Sequence, residues 1–278
     1  MPTSKTGKTY ASRYKTDVSV DQSTNVGFDA TTRLIVSGDG ASSSLSLSDD
    51  VLSVQPVSDN SAETMIVKNK GGNNILAVDT TNSKVMVGAS QIAVNTNYSH
   101  YGVSSTDAVW AASLADTHYA IPFSNATGAF MASAIANFAM GSSTSSSFND
   151  TEPASSLTIA TTAMDIVQAY WYVMDDITID RVVWWQAADT ATGESTAAYL
   201  MGYTVDASTD ATGGDLSSGV KLASSSTVTN AGYEQAYYNQ MTIHSADVDA
   251  GKVILFTFAA DTVNSDYTIN ATVKYHIR

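Results

Sequence analysis

The chain has no cysteine. No disulfide framework can staple it, and no thiol nucleophile is available. It also lacks any apolar run of about 18 residues, which excludes an ordinary transmembrane helix, so no membrane insertion is expected. Basic residues are scarce: 13 Lys and Arg stand against 27 Asp and Glu, for a formal net charge of −14. A body this acidic disfavours nucleic acid, because phosphate binding needs clustered cations. The opening residues MPTSKTGKTYASRYKTD are basic but contain no apolar core of a signal peptide, so none is expected. Stability must come from packing, sheet pairing and oligomerisation.

Chemical motifs are thin as well. His100, His118, His244 and His276 form no local metal pattern and are expected as surface or interface side chains. No G-x-S-x-G elbow occurs. Glu63, Glu152, Glu194 and Glu234 are scattered, with nothing to single out the paired carboxylates of a glycosidase. The string Ser4–Thr9 ends like a phosphate-binding loop. Pro2 stands where that loop needs a glycine, and no apolar strand precedes it, so the NTPase reading fails. Asp206, Asp210 and Asp215 share one Gly-containing loop and offer hard oxygens suited to Ca²⁺. Their spacing is not that of an EF-hand, and a solvated turn is the reading favoured. No catalytic residue, metal or cofactor is expected, and the chain is read as non-enzymatic.

What the chain does have is β-strand signal. Short candidates recur at Arg33–Ser37, Ser44–Ser48, Val51–Val57, Thr64–Asn69, Ile75–Asp79 and Lys84–Val87. Turn residues such as Gly38-Asp39-Gly40 and Lys70-Gly71-Gly72-Asn73 separate them. An isolated sheet of such strands is marginal in water. Three copies around an axis would bury its apolar faces, and residues 31–95 are read as a β-rich stalk. Residues 1–30 read as an extended arm, whose first 20 residues carry Lys5, Lys8, Arg13 and Lys15 against Asp17 alone. Residues 96–115 read as a connector with a short helix over Asp107–Ala115.

Residues 116–278 carry the longest strands. Candidates are His118–Phe123, Phe130–Met140, Leu157–Thr162, Ile166–Met174, Ile177–Gln186, Ala197–Asp206, Gly219–Val228, Glu234–Ile243, Val253–Ala259 and Tyr267–Ile277. So many strands, without a strong helix, favour an antiparallel sandwich or jelly roll. The stretch Ile166–Gln186 reads as two strands joined at Asp175-Asp176. Its aromatics Tyr170, Trp171, Tyr172, Trp184 and Trp185 alternate across the sheet. One Trp of the adjacent pair is therefore expected in the core and the other beside a neighbouring subunit. Aromatics of this kind serve cores, subunit interfaces and carbohydrate-binding surfaces.

Gly72–Gly88 (G-N-N-I-L-A-V-D-T-T-N-S-K-V-M-V-G) resembles a short repeat of bacteriophage fibre and virion-surface proteins. The carboxyl-terminal half resembles the trimeric jelly-roll heads of marine phage structural proteins. That likeness rests on His118–Phe123, on the strands around Asp175-Asp176, and on Asp247–Arg278 with its D-A-G-K-V turn and final strand. The resemblance implies an all-β homotrimer with an amino-terminal anchor, a stalk and a distal head. Its place would be the virion surface, after synthesis in the host bacterial cytoplasm. The partner would be the major capsid protein or another virion protein, contacted through the arm. The function expected is that of a capsid decoration protein or head fibre. The alternative is a short tail fibre or tail-tip protein that binds a host surface glycan.

Overall fold

Alternation of apolar and polar residues turns into antiparallel sheet throughout. The computed structural model describes residues 18–21, 28–88, 92–103, 115–123, 138–142, 152–158, 164–188, 193–206, 215–231, 235–261 and 267–278. Contacts divide the chain into two units, Met1–Asn95 and Thr96–Arg278.

The first unit holds two four-stranded sheets. One joins β1 (Val18–Val20), β2 (Arg33–Ser37), β3 (Ser42–Leu47) and β4 (Leu52–Val54) in sequence order. The other joins β5 (Met65–Lys68), β6 (Asn74–Asp79), β7 (Lys84–Val87) and β8 (Ile92–Ala93). Both are meanders, as the turn signals predict. The second sheet is apolar on both faces. Register sets Met65 against Val78 and Val78 against Val85, and sets Val67 against Leu76 and Leu76 against Val87. The opposite face carries Ile66, Ala77 and Met86 in one row. The arm expected over 1–30 is partly sheet, since β1 pairs with β2.

The second unit is a jelly roll. Its principal strands in chain order are β9 (Thr96–Val103), β10 (Thr117–Ile121), β13 (Ile177–Ala188), β14 (Ser195–Val205), β15 (Leu216–Ser224), β17 (Gln235–Gln240), β20 (Lys252–Ala260) and β21 (Tyr267–Ile277). Short strands fill the remaining numbers: β11 (Ala139–Ser142), β12 (Trp171–Tyr172), β16 (Val228–Thr229), β18 (Thr242–Ile243) and β19 (Asp247–Val248). One sheet runs β17-β13-β21-β9, and the other runs β10-β20-β14-β15. The first principal strand thus pairs with the last, the second with the seventh, the third with the sixth and the fourth with the fifth. That is a long antiparallel hairpin rolled up on itself, the jelly-roll order.

The two sheets meet through large side chains. Trp184 of β13 packs against Phe256 and Phe258 of β20, with ring centroids 6.2 and 5.9 Å apart. Buried Tyr101 of β9 donates its hydroxyl to the Ile254 carbonyl across the core at 3.0 Å. The sheets differ on their outer faces. β14 and β20 are buried at almost every position, as expected for strands covered on both sides. Tyr203, on the outward parity of β14, donates to the Ala154 carbonyl at 2.8 Å. A short bridge pairs Leu157 with Leu216. Residues 152–158 therefore form part of the cover, and Gly219 fits beneath them. A Cβ there would stand 2.6 Å from the Tyr203 ring and 2.9 Å from the Ser155 Cα. β13 and β21 instead alternate buried and accessible residues, so their outer face is open within this chain.

Two expectations are corrected. Residues 96–103 are not connector but β9, paired along its length with β21; Ser, Asn, His and Gly in it hide the inward Ser99, Tyr101 and Val103. Ile166–Met174 is not one strand. Met164–Ala169 is a 3-10 helix, whose three-residue period places Ile166 and Ala169 together in the core. Only Trp171 and Tyr172 remain as strand β12. The expected strand Phe130–Met140 and helix Asp107–Ala115 fall mostly outside the described residues, as do Lys5, Lys8, Arg13 and Lys15.

Candidate functional site

The open face of the β17-β13-β21-β9 sheet gathers the chemistry. A bulge between Ile179 and Arg181 resets the alternation, so Arg181, Val183 and Trp185 point outward while Val182 and Trp184 point in. Register then builds rows across the strands. Arg181 lies opposite Lys274, and Lys274 opposite Tyr98. Val183 lies opposite Thr272, and Thr272 opposite His100. Trp185 lies between Asn270 and Tyr238. An open groove of about 480 Å³ is lined by Tyr98, Asp180, Arg181, Val183, Tyr238, Thr272 and Lys274.

The aromatic rings here are accessible: Trp185 and Tyr238 are each 47% exposed, and Tyr98 is 57% exposed. Trp185 and Tyr238 contact each other with centroids 5.1 Å apart and planes tilted by 56°. Arg181 Nη2 donates to the Tyr238 hydroxyl at 2.9 Å. His100 Nδ1 lies 3.1 Å from Thr272 Oγ1. Asp180 is engaged sideways, with both carboxylate oxygens 3.1 Å from buried His276 Nδ1.

The other expected residues are placed differently. Trp184 is in the core at 1% exposure, as expected for one member of the Trp pair. Trp171 is buried and stacks on Phe123 at 5.8 Å with planes 6° apart. Tyr170 is half-buried, and its hydroxyl is pushed up to about 12, first by burial and then by the Asp215 carboxylate. Tyr172 is exposed. Of the histidines, His118 and His276 are buried, which corrects their expected place at the surface or at an interface. His118 packs edge-on to Tyr199, and His276 has the partner Asp180. His244 is exposed, with Nε2 2.7 Å from Ser224 Oγ. Among the described residues that ring makes no further side-chain hydrogen bond, so nothing there orients it as a triad histidine. Asp206 and Asp215 close the two ends of their loop through a backbone hydrogen bond of 2.8 Å, while Asp210 lies outside the described residues. Among the described residues no cluster of three or more His, Asp or Glu is arranged to hold a metal. No described helix is long and apolar enough to cross a membrane.

A buried polar chain lies nearby. Thr196 Oγ1 donates to Gln186 Oε1 at 2.7 Å, and Gln186 Nε2 donates to Asn230 Oδ1 at 3.0 Å. Asn230 Nδ2 in turn reaches the Tyr267 hydroxyl at 3.4 Å. Burial, reinforced by Glu194, drives that hydroxyl well above the usual tyrosine range. The resemblance segments also converge. Ala250 N–H donates to Asp176 Oδ1, Arg278 N–H donates to the Asp176 carbonyl, and the Arg278 guanidinium pairs with Asp247 and Asp249. Gly251 takes φ +83° in this turn. These contacts lock the end of the last strand and have a structural role.

Sequence reasoning found Trp185 but missed Arg181, Lys274 and Tyr98 as a group. No local motif links positions that only β-sheet register makes neighbours. Comparison with protein-family models gives no match, and comparison with curated protein sequences gives none either.

Proposed function

We propose that this chain is a non-enzymatic structural protein of a bacteriophage virion, a capsid decoration protein or head fibre. In this reading it is a homotrimer. Residues 1–30, with Lys5, Lys8, Arg13 and Lys15, attach it to the major capsid protein or another virion protein. The first unit acts as the stalk, and the jelly roll is the part displayed on the virion surface.

The observation that carries this reading is the β5–β8 sheet. Val67, Ile75, Val85 and Val87 are between 40% and 50% exposed or close to it, at 42%, 50%, 36% and 40%. Those residues span both faces of the sheet, and among its described residues only Ala77 and Asp79 are buried. A sheet of this kind needs cover, and identical apolar faces can cover one another without any charge complementarity. The resemblance of Gly72–Gly88 to phage fibre repeats supplies the number three and the setting.

Light scattering of the full chain tests the assembly: three subunits are expected, and a monomer overturns it. The double variant Val67→Asp/Val85→Asp should dissociate the trimer while the jelly roll keeps its near-UV spectrum. Quantitative mass spectrometry of purified particles tests the location. Many copies per particle favour decoration, and a few trimers favour the alternative short tail fibre or tail-tip protein. Loss of residues 1–30 should abolish attachment and leave the trimer intact. The observation favouring the alternative is the exposed aromatic face around Trp185.

A further inference from the structure

The open face of the jelly roll combines three features that ordinary surface composition does not explain. The first is a like-charge pair. Arg181 and Lys274 stand directly opposite on adjacent strands, an arrangement that destabilises a sheet unless something neutralises it. The chain has 27 acidic residues available. Yet among the described residues neither cation forms an ion pair with a carboxylate. Asp180, the nearest acid in the groove, is held by His276. The second feature is the aromatic pair Trp185 and Tyr238, in mutual contact and each about half exposed. The third is the alignment of both. Each cation sits beside a tyrosine: Arg181 donates to Tyr238, and Lys274 lies opposite Tyr98.

These features point to one ligand chemistry. Flat aromatic rings with a polar edge suit the apolar face of a sugar ring together with its hydroxyls. Paired cations suit a carboxylate or sulfate. Arg181 meets the Tyr238 hydroxyl and the Tyr238 ring meets Trp185, so the two functions lie side by side and address successive sugar units of an extended chain. The groove is open along the sheet, as a polymer requires and a small buried ligand does not. We propose that this face binds an acidic polysaccharide. Arg181 and Lys274 take its anionic group, and Trp185 with Tyr238 stacks against a neighbouring sugar ring. The proposal rests on the reading of the jelly roll as the displayed part of the protein, but it is measured independently of the virion.

Calorimetric titration of the full-length chain with polygalacturonate and with dextran sulfate tests it. Neutral dextran and polyglutamate serve as comparators. Binding to at least one acidic polysaccharide is expected, with none to dextran and much weaker binding to polyglutamate. Arg181→Gln/Lys274→Gln and Trp185→Ala should each weaken binding about tenfold or more. Lys68→Gln in the first unit should leave it unchanged. All of these sites are accessible, so each variant should stay folded, with the thermal midpoint of Arg181→Gln/Lys274→Gln held or slightly raised by relief of the like-charge pair. Absence of binding to both acidic polysaccharides overturns the proposal. So does equal binding to polyglutamate or dextran, or binding that Trp185→Ala leaves intact. A change in oligomeric mass on Trp185→Ala assigns this face to a second copy of the chain and overturns it too. Failure here leaves the trimer and the particle location to be decided by scattering and particle composition.

Discussion

The two units use the same local grammar of short apolar runs and turn residues, yet they bury very different amounts. Among the described residues of the first unit only Ala77 and Asp79 are buried. In the second, one continuous cluster runs from Tyr101 to Val273 and draws on both sheets. Strand length accounts for much of this. β5 to β7 have four to six residues, whereas β13, β14 and β21 have eleven or twelve. A long strand offers several inward side chains to a facing sheet, and a short one offers two or three. The jelly roll has the second layer that a sheet needs.

The comparison breaks most readily at Trp184. Trp184→Ala removes the ring between the sheets and should cost about 3–5 kcal/mol in chemical denaturation. Trp185→Ala, one residue along but on the open face, should cost less than about 1 kcal/mol. Equal losses would mean that the outer face is as enclosed as the core. Next in size is Gly219→Ala. Its Cβ would press on Tyr203 and on the Ser155 backbone, and a cost of about 1–3 kcal/mol is expected on the denaturation midpoint. A neutral outcome would show that residues 152–158 are loosely held against the sheet.

pH sharpens the contrast, because the two units respond at opposite ends. Burial raises the hydroxyls of Tyr101, Tyr170, Tyr203 and Tyr267. A folded value above the unfolded one gives stability that is complete below about pH 10 and is lost as the pH rises further. For Tyr170 that loss runs up to about 12. The jelly roll should therefore unfold in alkali, and the tyrosinate absorbance of these four rings should appear together with unfolding. In the first unit the Asp79 carboxyl is held below its usual range. The Asn82 side chain contributes most, with help from the Asn82 and Thr81 amides and from Lys84. The sign is opposite: that stability is present above about pH 4 and is lost as the pH falls below it. Amide exchange in the β6–β7 hairpin should rise on acidification ahead of exchange in β14 and β20. Asp79→Ala should cost about 1 kcal/mol from the lost turn hydrogen bonds, read on the same amides. It should remove the acid dependence from that hairpin.

Much of the fold was legible. The bounds of β2, β7 and β21 follow directly from period-two alternation between turn residues. So does the all-β class. The Trp184-Trp185 pair declared that only one ring could face inward. β9 was not legible, because its polar residues sit at a sheet edge where half the side chains meet water. The helical turn at Met164–Ala169 was not legible either, since a short apolar run fits a strand or a helix equally well.

Sequence by itself determined the class of structure, the turns and the alternation within each strand, because these depend on neighbours along the chain. Tertiary structure decided which strand lies beside which, which Trp is enclosed, and whether a polar edge becomes part of a sheet. It also decided the candidate site. Arg181, Lys274 and Tyr98 become one row only when β13, β21 and β9 pair in register. That pairing is set by burying the opposite sides of the same strands around Trp184, a demand no local stretch of sequence contains.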